Sequence, residues 1–246
     1  MAHRLGNKAK VYLHDHDLTG DSNGITLNVS AEAPDDTAFG DAARARVVGG
    51  LRDWSVDHSG FWGDTSIAGS DLDKVLYDHL AGSALLGVYP YTTASGRIGY
   101  EGFTLETTYS LGNPMDGVVT LSATHTGGSG LYRMASLTDE GISSEGSWTG
   151  CPVDFGGSTP NPIYGVVRVA LHSAGSYLKA VIRDGSSTTA TFSDCITFTA
   201  LSGSGAEFKT SSGCARRYLR PKAVARGTSA GWTKFLLSAG HSACTV

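Results

Sequence analysis

Apolar and polar side chains alternate in short runs along most of this chain. Over residues 24–30, Ile25, Leu27 and Val29 take one side and Thr26, Asn28 and Ser30 the other, the period-two mark of a half-buried strand. The pattern returns after residue 53: Trp54, Val56 and His58 share a face, Ser55, Asp57 and Ser59 take the opposite one, and Gly60 breaks the run before Phe61 and Trp62. Lys10-Val11-Tyr12-Leu13 reads as a first short strand closed by a polar turn, His14 to Asp21. Further strands are expected across residues 85–92, 96–111 and 116–127, where Val119, Leu121 and Ala123 alternate with Val118, Thr120 and Ser122. One segment has helical spacing instead. Leu72, Val75, Leu76 and Leu80 recur at three- and four-residue intervals, Ser70 and Asp73 form a weak capping box, and Gly82 supplies a stop. Such a short helix is expected to plug the open end or face of a sheet.

Between the first two alternating segments lies an insert that fits neither period, "TAFGDAARARVVGGLRDW" over residues 37–54. It is too polar and glycine-broken for a core helix and too long for a hairpin turn. Composition shifts again over residues 138–162, a Gly/Ser/Pro-rich piece that reads as a linker or long loop. Beyond it several more short strands are expected. They leave two readings open: a small β-sandwich of their own, or last strands that return to the first sheet. The 33 glycines against 7 prolines in 246 residues agree with many turns and short strands. The fold class is therefore mainly β, an antiparallel β-sandwich or barrel with one short flanking helix and room for a small C-terminal β-sandwich.

Charge and candidate chemistry narrow the function. A formal net charge of −4 gives no excess of cations to grip a polyanion. The amino-terminal twenty residues hold no apolar run of signal-peptide length and no stretch approaches a membrane span, so synthesis in a cytosol is expected. Cys151, Cys195, Cys214 and Cys244 are scattered without a C-x-x-C pair, which argues against structural zinc; a reducing compartment would keep them as free thiols. The most metal-like cluster is His14-Asp15-His16-Asp17, where His14 and His16 would share a face of an extended segment. No third histidine or cysteine is placed with them, and an exposed polar turn is the simpler reading; His125 and His172 cannot be assigned. No framed serine, H-E-x-x-H, P-loop or dinucleotide fingerprint occurs. The acidic pairs Asp35-Asp36 and Asp139-Glu140 read as solvated loop residues, and the sequon at Asn28 carries no weight without a secretory signal. No catalytic residue, metal or cofactor is expected. Among the aromatics Trp54, Phe61, Trp62, Tyr89, Tyr91, Trp148 and Trp232, most sit in strand-like runs and are expected in the core. Trp148, in the Gly/Ser-rich piece, is the candidate glycan contact.

The stretch from Asn28 to Asp64 resembles the major tail, or tail tube, proteins of long-tailed bacteriophages, in a layout closer to the non-contractile kind. The residues that carry the likeness are Asp36, Thr37, Phe39, Gly40, Arg44, Gly50, Leu51, Asp53, Trp54, Ser55, Gly60, Phe61, Trp62 and Asp64. The helix, residues 96–124 and the closing segment 215–241 continue it. The resemblance implies a tail-tube-like β-domain over residues 1–137, with a long loop at 31–53 and a helix at 71–81. The linker or loop at 138–162 follows, then a β-rich region over 163–246 that can hold a small galectin-like sandwich. It also implies a structural, non-enzymatic subunit of the virion tail, made in the host bacterial cytoplasm, that forms stacked hexameric rings. Its partners would be further copies of itself and other tail proteins (tape measure, tail terminator, distal tail). DNA would be transiting cargo only, and no membrane would be involved. In that reading Phe39, Arg44, Arg46, Val47, Val48, Leu51, Arg52 and Asp53 form the contact loop to a neighbouring subunit or ring. The alternative is a virion decoration or carbohydrate-binding adhesion module that uses Trp148.

Overall fold

The computed structural model describes residues 8–32, 52–62, 72–115, 117–142, 146–158, 162–171, 176–211, 216–227 and 233–241. Among them the chain is mainly antiparallel β with one helix. The strands of the first half are β1 (Lys10–Leu13), β2 (His16–Asp17), β3 (Ser22–Ala31), β4 (Arg52–Phe61), β5 (Ser83–Tyr89), β6 (Ile98–Gly112) and β7 (Thr120–Gly127), with α1 (Leu72–His79) between β4 and β5. The second half adds β8 (Tyr132–Ile142), β9 (Gly146–Thr149), β10 (Val153–Asp154), β11 (Ile163–Leu171), β12 (Ser176–Gly185), β13 (Ser193–Thr197), β14 (Gly205–Ser211), β15 (Tyr218–Gly227) and β16 (Thr233–His241). The piece with linker composition, residues 138–162, thus contains the end of β8 and both short strands β9 and β10. The chain divides into two compact units, and β6 supplies residues 98–103 to the first and 104–112 to the second.

The first unit takes residues 1–20, 84–103 and 130–245. One sheet runs β14-β11-β16-β8-β6-β5-β1-β2, and a second runs β10-β15-β12-β13 with β9 also on β15. Alternation along β11 decides what each face carries. Val167 and Val169 join Leu137, Phe235 and Leu237 in a core that meets Leu178, Ile182, Ile196, Phe198, Leu219 and Ala223 of the second sheet and its flank. This is sandwich packing, with inward residues every second position on both sheets.

Arg168, one residue along, faces the other way, and its side chain is 1% exposed. It donates through Nη2 to Glu101 Oε2 at 2.5 Å, and through Nη1 to the carbonyls of His14 and, at 2.9 Å, Leu85. Tyr89 Oη donates to Glu101 Oε1 at 2.7 Å. In a flat sheet β11 and β6 would lie three strand spacings apart, more than ~14 Å. A direct ion pair between them requires the sheet to curl, so this face closes on itself around Arg168, Glu101, Tyr12 and Tyr89. Two glycines make the room. A Cβ on Gly87 would lie 2.8 Å from both Glu101 carboxylate oxygens, and one on Gly99 would lie 2.3 Å from the Tyr89 ring.

The second unit takes residues 21–83 and 104–129. Its sheet is β3-β4-β7-β6, antiparallel throughout. On β4 the face expected from the sequence is the buried one, with Trp54 6%, Val56 0% and His58 2% exposed. Leu121 and Ala123 of β7 are buried beside them. The helix covers this face as expected of a plug. Leu72, Val75 and Leu76 are buried, Leu72 presses on Gly60, and the Tyr109 hydroxyl donates to Asp73. Ser70 of the capping box lies outside the described residues. The helix ends where Ala81 enters the left-handed region (φ 60°), and Gly82 N–H donates to the His79 carbonyl at 2.7 Å.

Three readings change with the structure. Phe61 and Trp62, expected in the core, are 45% and 38% exposed, because alternation puts Phe61 on the outward face with Ser59 and Trp62 follows the end of β4. Cys195 is disulfide-bonded, where free thiols were expected; Cys151 is free and exposed, so the partner is Cys214 or Cys244, outside the described residues. The expectation rested on compartment alone, which says nothing of which segments the fold brings together. The polar turn after Leu13 contains a short strand, β2. His14 has φ 52° and β2 pairs back on β1, with Leu13 opposite His16.

Candidate functional site

Among the described residues no group of three or more His, Cys, Asp and Glu is placed to hold a metal ion. His16 Nε2 lies 3.5 Å from Asp15, while the His14 carbonyl serves Arg168. No helix among the described residues is long and apolar enough to cross a membrane. Asp139 accepts a hydrogen bond from Thr93, a use within the fold.

The most distinctive surface is the β3–β4 hairpin. Its two strands pair from Ser22 opposite Gly60 to Ala31 opposite Arg52, so the long insert leaves from one end of a regular ladder and returns to it. Phe39, Arg44, Arg46, Val47, Val48 and Leu51 lie outside the described residues. Arg52 opens β4 across from Ala31. Asp53 is exposed, and its carboxylate accepts the Trp54 N–H at 2.8 Å. Trp54 in turn is anchored, its indole N–H donating to the Ser129 carbonyl at 2.7 Å. The return end of the insert is therefore bound to a rigid strand.

Among the described residues β4 is the only strand paired with β3, which leaves β3 with one free edge. This edge strand is ten residues long, "SNGITLNVSA", and carries no charge and no proline. Ile25 and Leu27 are half-buried and Val29 is 44% exposed. Natural edge strands are usually short, charged, bulged or interrupted by proline, because a free row of N–H and C=O groups templates pairing with another chain. β3 has one such device, a register shift between Ser22 and Gly24, and it lies at the end away from the insert. Sequence reasoning identified β3 as a strand but missed its edge position, because alternation does not reveal which neighbour a strand lacks.

Trp148, the candidate glycan contact, is half-buried on β9. Its ring meets Phe235 edge-on with centroids 5.7 Å apart and packs against the core of the first unit. A second aromatic group, not singled out from the sequence, lies in the same unit. Tyr132, Tyr164 and Phe208 stack with centroids 4.4–5.9 Å apart, and Phe103, 38% exposed, joins at 5.8 Å. β14, which carries Phe208, is the other long edge strand.

The second unit also holds a buried ionisable cluster. His58 on β4, His125 on β7 and Glu106 on β6 are 2%, 1% and 2% exposed, and Glu106 is the register partner of His125. Burial lowers both imidazoles to about 4 and raises the Glu106 carboxyl to about 8. Sequence reasoning placed His58 on an inward face and left His125 unassigned. The three converge only through strand register.

No protein-family model matches the chain, and no curated protein matches it. Solved structures that it resembles include one titled as the virion of a native gene transfer agent particle. The match has 15% identity and a TM-score of 0.42 over 52% of this chain and 97% of that one. Another is the tail of an empty gene transfer agent particle with C6 symmetry, at 16% identity and a TM-score of 0.40 over 52% and 97%. A third is the Dit protein of SPP1, described as a hub adsorption apparatus protein of phages infecting Gram-positive hosts, at 10% identity and a TM-score of 0.36 over 94% and 98%.

Proposed function

We propose that this chain is a structural, non-enzymatic subunit of a bacteriophage tail that self-assembles into stacked hexameric rings, the tail tube through which the genome leaves. The observation that carries the self-assembly is the free edge of β3: ten residues, uncharged, without proline, and joined directly to the long insert. In a monomer such an edge is an aggregation liability. In a ring it becomes the seam along which one subunit's sheet continues into the next. The tail assignment rests on the sequence resemblance carried by residues 28–64. A chain of net charge −4 suits a conduit wall, which must let DNA slide rather than bind it. The insert, with Phe39, Arg44, Arg46, Val47, Val48, Leu51, Arg52 and Asp53, is then the contact to the adjacent subunit or ring. Other tail proteins cap the tube at its ends.

Negative-stain microscopy and light scattering of the concentrated full chain test this reading. Rings or tubes are expected. The double substitution Thr26→Lys and Asn28→Lys, which charges the β3 edge, should leave circular dichroism unchanged and abolish the assemblies. A chain that stays monomeric at high concentration, or a charged-edge variant that still assembles, contradicts it.

A further inference from the structure

The cluster beneath α1 is the least satisfied part of the second unit. No hydrogen-bond partner among the described residues reaches His58 Nδ1, either nitrogen of His125, or either carboxylate oxygen of Glu106. The one partner recorded for these three side chains is the Ser22 hydroxyl, 2.7 Å from His58 Nε2. Five buried polar atoms without partners are costly, and the cost multiplies when any of these groups carries a charge. Among the described residues it is the eight-residue helix α1 that lies over them. Isolated helices of that length are not stable in water, so α1 persists only by packing on this face. Among the described residues it is held by the buried Leu72, Val75 and Leu76, by Asp73 with the Tyr109 hydroxyl, by the Tyr77 ring edge-on to Tyr109, by a Leu80–Glu106 bridge and by the Ala81 N–H, which donates to the Glu106 carbonyl at 3.0 Å. The last tie runs through the cluster's own acidic residue.

We propose that His58, His125 and Glu106 form a proton-operated latch for α1: the helix stays seated only while all three side chains are uncharged, and charging any of them lifts it off the sheet. The other titratable groups facing the cluster are few. They are His79, Asp73 and Tyr77 on α1 and Tyr109 on β6, whereas β3 contributes only the Ser22 hydroxyl. His79 is already engaged, its Nδ1 2.7 Å from the Val75 carbonyl, and it adds to the repulsion on a protonated His125.

The latch acts in two directions. The imidazoles resist protonation when buried, so their contribution is complete above about 6.5 and is lost as pH falls toward about 4. Glu106 stays protonated when buried, so its contribution is complete below about 4.5 and is lost as pH rises through about 8. Seating of α1 is therefore strongest near neutrality. Between pH 7 and 5 the two histidines alone would weaken it several hundred-fold, and Glu106 offsets all but roughly ten-fold of that.

Hydrogen exchange of the full chain, corrected for intrinsic rates, reads this directly. Protection of the α1 amides should peak near pH 6–7 and fall roughly ten-fold by pH 5 and again by pH 9, while β11 and β16 stay protected. Glu106→Gln should abolish the alkaline fall and deepen the acid fall to several hundred-fold. Flat α1 protection from pH 9 to 5, or loss in step with β11 and β16, overturns the latch. If Glu106→Gln does not fold, the histidine ring resonances of the wild-type chain decide: two that stay neutral to below pH 5 support the latch, and eight that all titrate near 6.5 overturn it.

Discussion

Arg168 shows how much one side chain can organise. It lies fully buried on the face opposite the sandwich core, in ion contact with Glu101 and hydrogen-bonded to two main-chain carbonyls. Removing one partner leaves the other charge buried and unpaired, which costs about 3–5 kcal/mol. Arg168→Met is therefore expected to lower the unfolding free energy by about that much in urea denaturation. The double variant Arg168→Met, Glu101→Leu should recover most of the loss, since a buried pair replaced by apolar groups is often neutral. A double variant as unstable as the sum of the singles would show no coupling between the two side chains and contradict this account. Gly99 tests the same network from its wall. Gly99→Ala places a methyl 2.3 Å from the Tyr89 ring, and overpacking of this kind costs about 1–3 kcal/mol. Neither Arg168 nor Gly99 stands out in the sequence. Arg168 sits inside "VVRVAL", where a lone cation in an apolar run gives no hint of its partner 67 positions away.

At the scale of elements, local periodicity carried the most information. The alternation through residues 54–58 and the helical spacing through 72–76 each placed the right side chains inward. Elements defined by distant partners were not legible. β9 and β10 sit in a Gly/Ser/Pro-rich segment with no alternation to mark them, and they exist as strands because β15 offers both an edge. Phe61 and Trp62 look like core by composition, yet Phe61 is on the outward face of β4 and Trp62 follows its end. The pairing of Cys195 on β13 was equally illegible, since the four cysteines share no spacing motif. Non-reducing peptide mapping is expected to find Cys195 joined to Cys214 or Cys244, with Cys151 alkylated readily. Reduction should lower stability by about 2–4 kcal/mol, the usual effect of opening a native cross-link. Ready alkylation of Cys195 in the unreduced chain would contradict the pairing.

At the scale of the whole molecule, the question is what the insert of residues 33–51 accomplishes. A segment of that length between two well-formed strands is uncommon in a compact fold unless it serves a purpose outside it. Its chemistry is specific: Arg44 and Arg46, with Arg52 at the start of β4, bring three cations to a chain whose net charge is −4. Copies of an acidic protein that associate must overcome mutual repulsion, and cations concentrated in one stretch of sequence can meet acidic surface on a neighbour. Two consequences separate this from a loop that merely closes the hairpin. Charge reversal of Arg44, Arg46 and Arg52 to Glu should weaken assembly at least ten-fold in critical concentration, while thermal unfolding of the unassembled subunit shifts little. Assembly of the native chain should also become weaker as ionic strength rises and the contact is screened. Reversed charges that leave the critical concentration unchanged would remove the insert from the interface and leave the β3 edge as the seam on its own.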